Sequence, residues 1–176
     1  NDALLPIDPN SLADDTELAL KIRRQGGRVI FDPAVQYGEA SHSDFVKRRK
    51  QKDRRAMGLI RLLVQHRDGL GRYGKYGRAV LPFNWWFMIA SPWLLAVTLA
   101  IGTVGSVIAF GVAGGALPLV AGLFTYLGQR DVLGPVQALY SLFDTQVSLL
   151  LASVELLRGK GDGTWEVDSE LREAFE

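Results

Sequence analysis

Apolar and charged positions are segregated along this chain, and the segregation predicts its main division. Between Arg78 and Arg130 there is no Asp, Glu, Lys or Arg, whereas residues 43–78 contain twelve Lys and Arg against three Asp. As a single helix the uncharged stretch would be roughly 75 Å long, against about 30 Å of bilayer hydrocarbon. It is therefore predicted to fold back on itself within the glycine-rich residues 102–115.

Transmembrane helices are predicted on either side of that break, at about 80–102 and 106–127. A further apolar pattern at three- and four-residue spacing predicts a helix at 132–157. Asp144 in the middle of this third helix leaves two arrangements open. The helix spans the membrane with the carboxyl turned into a bundle, which we favour, or it lies in the interface. A buried soluble hairpin is disfavoured, because so small a chain has too little other sequence to cover it.

The basic residues before Arg78 predict which side of the membrane the chain starts from. Under the positive-inside rule they place the N-terminal part in the cytoplasm. Residues 46–78 are interpreted as a basic interfacial helical segment whose cations lie against anionic headgroups. We expect a multi-pass protein of the cell membrane with a hydrophilic tail at 158–176, on a side that the sequence leaves open.

Composition narrows the chemistry further. The chain has no Cys and only two His, His42 and His66. Disulfides and thiolate metal sites are therefore excluded, and a zinc site is disfavoured. The sequence opens at Asn1 without a signal-peptide pattern, and we interpret it as a piece of a longer protein.

Residues 13–39 predict a small α/β fragment. A helix is predicted to begin within the run Ala13–Leu18 and end at Gly26-Gly27, followed by an extended Val29–Phe31 and a turn at Asp32-Pro33. Leu18 and Ile22 are expected on the buried face of this helix, with Lys21, Arg23 and Arg24 solvated. Because three strand residues cannot form a sheet alone, residues 1–45 are predicted to complete a domain with preceding sequence.

The acidic pair that opens this helix has two interpretations. Asp14 and Glu17 have the spacing of a capping box, in which Asp14 accepts backbone amide hydrogen bonds and Glu17 reaches back. A carboxylate held at a helix N-terminus beside a pocket is also suited to act as a general base toward an attacking hydroxyl.

The run from Leu12 to Val29, with Asp32-Pro33 and Glu39, resembles the acidic motif of family 2 glycosyltransferases, the group that contains cellulose and hyaluronan synthases. That motif is Glu/Asp-Asp-x-x-Leu, and Asp14, Asp15 and Leu18 stand at its positions. The resemblance implies that Asp15 is the catalytic base that deprotonates the acceptor hydroxyl, with Asp14 beside it.

A second motif of the same family follows. Gln51-Lys52-Asp53-Arg54-Arg55 is similar to Gln-x-x-Arg-Trp, with Arg55 in place of the tryptophan. The resemblance implies that Gln51, Arg54 and Arg55 bind substrate, with Gln51 or Arg54 stabilising the leaving nucleoside diphosphate. The missing indole disfavours processive polymer synthesis and favours single transfers.

The resemblance sets the expected fold class. It implies a mainly α membrane protein, in which the C-terminal part of a GT-A-type α/β glycosyltransferase domain is followed by interfacial helices and two to three transmembrane helices. Neither a Gly-rich nucleotide loop nor an Asp-x-Asp motif is present, so the donor-binding half is expected outside this chain and the piece alone is expected to be inactive.

The implied activity defines the expected partners. They are a sugar nucleotide donor, a lipid-linked or glycan acceptor, and the lipid bilayer. A divalent cation, Mg or Mn, is expected in the complete enzyme, with its ligands mostly outside these residues.

Two alternatives from other classes remain. The chain could be a non-enzymatic membrane adaptor with a lipid-binding basic segment, in which case Asp15 has no catalytic role. Nucleic-acid binding by residues 47–78 has the charge, with Tyr73 and Tyr76 available for stacking. We disfavour it, because the adjacent membrane hairpin explains the same basic residues. His42 is interpreted as a surface histidine.

Overall fold

The computed structural model describes residues 11, 13–36 and 45–159 and is mostly helical. It divides into two compact units. We call the described residues up to Asn84, together with those from Ala152 onward, the charged unit, and Trp85–Leu151 the apolar unit. The predictions for His42 and for the tail beyond residue 159 lie outside the described residues.

Two helices open the charged unit. They are α1, Asp14–Arg24, and α2, Phe45–Gln65. The predicted start and end of the first helix are confirmed. A buried apolar cluster joins the two helices and consists of Ala13, Leu20 and Leu62, with Leu59 and Tyr76 packed against it.

The buried face of α1 differs from the predicted one. Glu17 and Leu20 are its buried residues, whereas Leu18 and Ile22 are only half-buried. Glu17 tolerates burial because its carboxylate lies 2.5 Å from the ammonium of Lys21, one turn later on the same helix. A paired charge thus occupies a position that hydropathy alone assigns to solvent.

The segment after α1 is exposed and has no regular secondary structure. Val29–Phe31 pairs with no other strand among the described residues, and the side chain of Phe31 is 89% exposed. The predicted turn is confirmed, because the Val35 amide donates to the Asp32 carbonyl at 3.1 Å and the Ala34 amide donates to the Asp32 carboxylate at 2.9 Å.

A compact loop follows α2. It contains a 3₁₀ turn, Arg67–Gly69, and returns to a π-helical turn, Tyr76–Val80, which continues into the short helix α3, Leu81–Trp85. The Gly71 amide donates to the Gly77 carbonyl at 2.8 Å. A Cβ atom at Gly77 would overlap the carbonyl oxygens of Arg72 and Gly69, so this closure requires glycine.

The apolar unit contains three longer helices joined by short turns. A π-helical turn, Trp86–Ala90, leads into α4, Ser91–Phe110, which is followed by a 3₁₀ turn at Gly111–Gly115, α5 at Ala116–Gln129, a 3₁₀ turn at Gly134–Val136, and α6 at Gln137–Leu157. The last residues of α6 belong to the charged unit.

The chain reverses direction at Gly111. Its φ of +59° favours glycine, and the following turn brings Gly114 against the backbone of Ser106. A Cβ atom at Gly102 would lie 3.5 Å from Leu117, so α4 and α5 form a hairpin. The reversal falls inside the predicted glycine-rich stretch, but α4 continues through Gly102 to its end at Phe110.

Aromatic and glycine contacts join α5 to α6. The Phe124 ring meets the rings of Tyr140 and Phe143 edge to face at 6.0 Å between centroids. Gly128 lies so close to the Tyr140 ring that a Cβ atom there would overlap it. The Gln137 amide nitrogen donates to the Gly128 carbonyl at 2.8 Å and stabilises the turn between the helices.

One neutral polar contact joins α6 to the start of α4. Ser91 Oγ lies 2.6 Å from Gln146 Oε1 and 3.0 Å from the Phe87 carbonyl oxygen, and Gln146 Nε2 lies 3.5 Å from that same carbonyl. Gln146 is buried, and its amide would be costly to leave unpaired in these surroundings.

Among the described residues, the helical stretch Tyr76–Gln129, which includes the turn at Gly111–Gly115, is long and apolar enough to cross a membrane. Its most apolar window is not buried inside the protein. Large exposed side chains such as Ile108, Phe110 and Leu119 instead face outward.

Candidate functional site

The acidic pair lies in the first turn of α1. Ala13, not Asp14, is the residue that caps the helix, and no side chain provides a capping hydrogen bond. The capping-box prediction is therefore wrong. Asp14 Oδ1 accepts from the Asp15 amide at 3.1 Å, and Asp15 Oδ1 accepts from the Thr16 amide at 2.6 Å. Both aspartates are exposed, and their carboxylates lie where the helix dipole favours negative charge.

The second predicted group lies on α2. Gln51 and Arg54 are half-buried, and Arg55 is exposed. Gln51 and Arg55 precede Leu62 at helical spacing and share its side of the helix. Leu62 belongs to the cluster that holds Ala13 and Leu20, so this part of α2 packs against α1, whereas Arg55 lies about two turns and Gln51 about three turns earlier on the helix.

In the described residues, α1 and α2 are linked by the apolar cluster and not by bonds between the two predicted groups. Within the described residues, neither aspartate forms a hydrogen bond or ion pair with Gln51, Arg54 or Arg55. Ala13 is only 8% exposed, so the residue preceding the acidic pair is anchored in the same apolar cluster as α2.

A second constellation lies at the other end of α1, where Arg24 is the last helical residue. Its Nη1 atom lies 3.0 Å from His66 Nδ1, and its Nη2 atom forms an ion pair with Asp68 Oδ2. The guanidinium groups of Arg23 and Arg24 lie over tyrosine rings, at 5.0 Å from the centroid of Tyr76 and 5.8 Å from that of Tyr73 respectively. Both distances are within the range of cation–π attraction.

These side chains line a small depression in the charged unit. Its lining residues are Leu20, Arg23, Arg24, His66, Gly69, Tyr73, Tyr76 and Leu81. None of the residues implied by the two sequence motifs is among them.

The charge state of this depression depends on His66. Burial and the neighbouring Arg24 guanidinium lower the pKa of His66 from its ordinary value of 6.5, while Glu17 opposes the shift. The neutral imidazole is therefore stabilised.

The described residues do not fit a divalent cation. No group of three or more His, Cys, Asp or Glu side chains lies close enough together among them to hold a metal ion. Asp14 and Asp15 each engage a backbone amide, and two neighbouring carboxylates alone are a poor set for a hard cation.

Sequence reasoning missed the Arg24 constellation. Lys21, Arg23 and Arg24 are half-buried and engaged, whereas the pattern predicted that they were solvated. The available signal was a pair of arginines at a helix end and a later His66-Arg67-Asp68-Gly69 turn. Nothing in the sequence connects those two segments across the intervening helix.

Comparison with known proteins gives one match. A family model described as "Glycosyl transferase family group 2" matches residues 2–126, which is more than half of the chain. No curated protein and no solved structure matches. The matched range includes both predicted motifs, the loop after α2, and the α4–α5 hairpin almost to its end.

Proposed function

The chain belongs to glycosyl transferase family group 2, and on that premise we propose that it performs inverting sugar transfer with Asp15 as general base. Membership makes the activity a glycosyl transfer. The proposal adds the chemistry of individual residues, the donor and acceptor classes, and the membrane face. Its main support is the anchoring of the acidic start of α1 in the same cluster as α2.

The proposed reaction is a direct displacement at the anomeric carbon. Asp15 removes the proton from an acceptor hydroxyl, whose oxygen forms the new glycosidic bond. The bond between the anomeric carbon and the nucleoside diphosphate breaks, and the diphosphate leaves with the electron pair. Gln51 and Arg54 donate hydrogen bonds to that leaving group, and Arg55 adds positive charge beside it.

The state of Asp15 in the structure fits this role. Its carboxylate is exposed to an approaching acceptor, and its hydrogen bond to the Thr16 amide at 2.6 Å fixes its orientation. Asp14 supports the site by placing a second carboxylate in the same turn. A base held by its own helix needs little rearrangement before it acts.

The donor is proposed to be a sugar nucleotide and the acceptor a lipid-linked or glycan hydroxyl at the cytoplasmic face. Basic α2 and the exposed apolar hairpin of α4 and α5 support a membrane location, with both hairpin helices crossing the bilayer. The same proposal includes α6 as a third membrane span. A GT-A-type half with the donor site, and the ligands of any Mg or Mn, is assigned to other parts of the complete enzyme.

The decisive experiment replaces Asp15 in the complete enzyme in detergent or nanodiscs. Asp15→Asn keeps an acceptor for the Thr16 amide but cannot take a proton, so kcat should fall by about 10²- to 10⁴-fold. Asp32→Asn is the matched control, because asparagine can still accept from the Ala34 amide in that turn.

Sugar transfer at the normal rate by Asp15→Asn would reject the assigned base and favour the membrane adaptor. Loss of transfer in Asp15→Asn, with Asp32→Asn active and both proteins equally folded, would support the proposal.

A further inference from the structure

The contacts of Arg24 span a large separation in sequence. Arg24 ends α1, His66 directly follows α2, and Asp68 lies in the 3₁₀ turn beyond it. One guanidinium therefore connects the end of α1 to the loop after α2 through two different nitrogen atoms.

The hydrogen bond to His66 fixes the state of the imidazole. A guanidinium only donates hydrogen bonds, so Nδ1 of His66 must accept and cannot carry a proton. The ring is thus neutral, with its proton on Nε2. Protonation of Nδ1 would remove the acceptor and set two cations against each other.

Backbone strain at Tyr73 supports the importance of this arrangement. Tyr73 has a φ of +58°, in the left-handed region that bulky residues rarely adopt. That conformation places its ring 5.8 Å from the Arg24 guanidinium and beside Gly69. Local strain of this kind persists only where the surroundings hold it, and it is common near functional sites.

We propose that Arg24, held by His66 and Asp68, is a positioning residue that fixes the orientation of the acidic end of α1. This inference rests on the proposed function of Asp15. Among the described residues, the start of α1 packs in the apolar cluster around Ala13, which is non-directional and permits small rotations. The directional contact at the far end of the short, rigid helix removes that freedom, and a misplacement of about 1 Å costs catalysis up to about a hundredfold.

The same contact makes the orientation depend on pH. Charged groups around His66 are Arg24 and Lys21, which oppose its protonation, and Glu17, which favours it, while Asp68 binds the Arg24 guanidinium. The Arg23 guanidinium and the rings of Tyr73 and Tyr76 line the same depression. Because the pKa of His66 is below its ordinary 6.5, the contact is intact at neutral pH and weakens on acidification below 6.5.

The first experiment compares Arg24→Gln with Arg28→Gln in the complete enzyme. Arg28 is an exposed arginine just beyond the same helix, so it controls for the loss of one positive charge. Arg24→Gln should lower kcat by about tenfold to a hundredfold, with little change in the donor KM, because Arg24 touches no substrate in this proposal. Arg28→Gln should match the wild type.

Charge reversal separates positioning from simple loss of stability. Arg24→Glu alone should lose activity, and Arg24→Glu combined with Asp68→Arg should recover most of it, since the ion pair is re-formed in the opposite sense. Equal kcat for Arg24→Gln and Arg28→Gln would overturn the proposal. So would a loss that the reversed pair does not restore and that follows unfolding at the assay temperature.

His66 gives the test specific to pH. Asparagine can present an acceptor near the position of Nδ1 but does not titrate, so His66→Asn should keep the activity at pH 8 and flatten its decline below pH 6.5. An unchanged pH profile would contradict the proposed role of His66.

Hydrogen exchange distinguishes the failure of this inference from the failure of the assigned base. The amides of α1 should exchange faster in Arg24→Gln than in Arg28→Gln, whatever reaction the enzyme catalyses. If Asp15→Asn stays active while exchange and the charge reversal behave as expected, the base is wrong and the contact stands. If Asp15→Asn is inactive but exchange in α1 is unaltered by Arg24→Gln, the positioning role is wrong and the base stands.

Discussion

The charged unit and the apolar unit both contain tightly closed turns, but different polar contacts hold their segments together. Each contains a tight turn that only glycine permits, at Gly77 in one and Gly114 in the other. Their long-range polar contacts differ. Arg24 forms charge-assisted contacts with His66 and Asp68, whereas Gln146 meets Ser91 and a backbone carbonyl as a neutral amide.

The difference shows what each unit can respond to. Charge-assisted contacts at a half-exposed site are sensitive to pH and salt. Neutral hydrogen bonds and steric contacts between apolar helices are insensitive to both. The part of the chain that carries the proposed base is therefore the part whose contacts solution conditions can change.

The largest effect is expected where a Cβ atom meets backbone. Gly114→Ala should destabilise the apolar unit by about 3 kcal/mol, at the upper end for overpacking, because the backbone of Ser106 and Val107 cannot yield as a side chain can. Unfolding in detergent, monitored by circular dichroism at low and high salt, would measure it, and salt should not change the difference.

Gly115→Ala is the matched control for that substitution. Gly115 follows directly, has a helical φ of −65°, and has no atom within 4 Å of an added Cβ. It should be neutral or slightly stabilising, since alanine is the better helix former. Equal destabilisation by both substitutions would show that the turn at Gly111–Gly115 is not packed as described.

The next largest effect is expected on acidification, which should destabilise the charged unit but not the apolar unit. The unfolded chain binds a proton at His66 with the ordinary pKa of 6.5, and the folded chain binds it less readily. The unfolded state therefore holds more protons just below pH 6.5, so the free energy of unfolding of the charged unit falls as the pH decreases through that window. Because a single proton is involved, the free energy of unfolding changes by at most about 1.4 kcal/mol per pH unit. Solvent around the half-exposed ring lowers this value further.

Site-resolved hydrogen exchange between pH 5.5 and 7.5 would test this, after correction for the intrinsic exchange rate. Amides of α1 should lose protection at the lower pH in the wild type but keep it in His66→Asn. Protection in α5 should be indifferent to the same change. A loss of protection in both units together would mean that the pH response does not originate at His66.

Local sequence rules predicted the helices well and the contacts between them poorly. The position of α1 and the turn at Asp32 follow from short-range preferences, and both are confirmed, although the predicted cap at Asp14 is not. The buried face of α1 was misassigned because Glu17 is paired within the helix, which a hydropathy pattern cannot register.

The candidate site was predictable to the extent that it depends on family motifs. Asp14, Asp15, Gln51, Arg54 and Arg55 were identified by their order in the sequence, and their catalytic roles stay predictions. Arg24 was missed because its partners come after a complete intervening helix, and no local rule specifies which surface of one helix meets the loop after another.

The smallest effect is expected at Gln146. Gln146→Leu removes the contact to Ser91 and the weaker one to the Phe87 carbonyl, and side-chain hydrogen bonds between helices in a membrane average about 0.6 kcal/mol. Ser91 keeps its own hydrogen bond to Phe87 at 3.0 Å, which limits the loss. Thr145→Val is the control, because among the described residues its hydroxyl bonds only to the Ser141 carbonyl of the same helix, at 2.8 Å. Detergent unfolding should show the Gln146→Leu effect unchanged between pH 5.5 and 7.5 and between low and high salt. A dependence on either condition would mean that the polar contact of the apolar unit is coupled to a charge, and the contrast with Arg24 would fail.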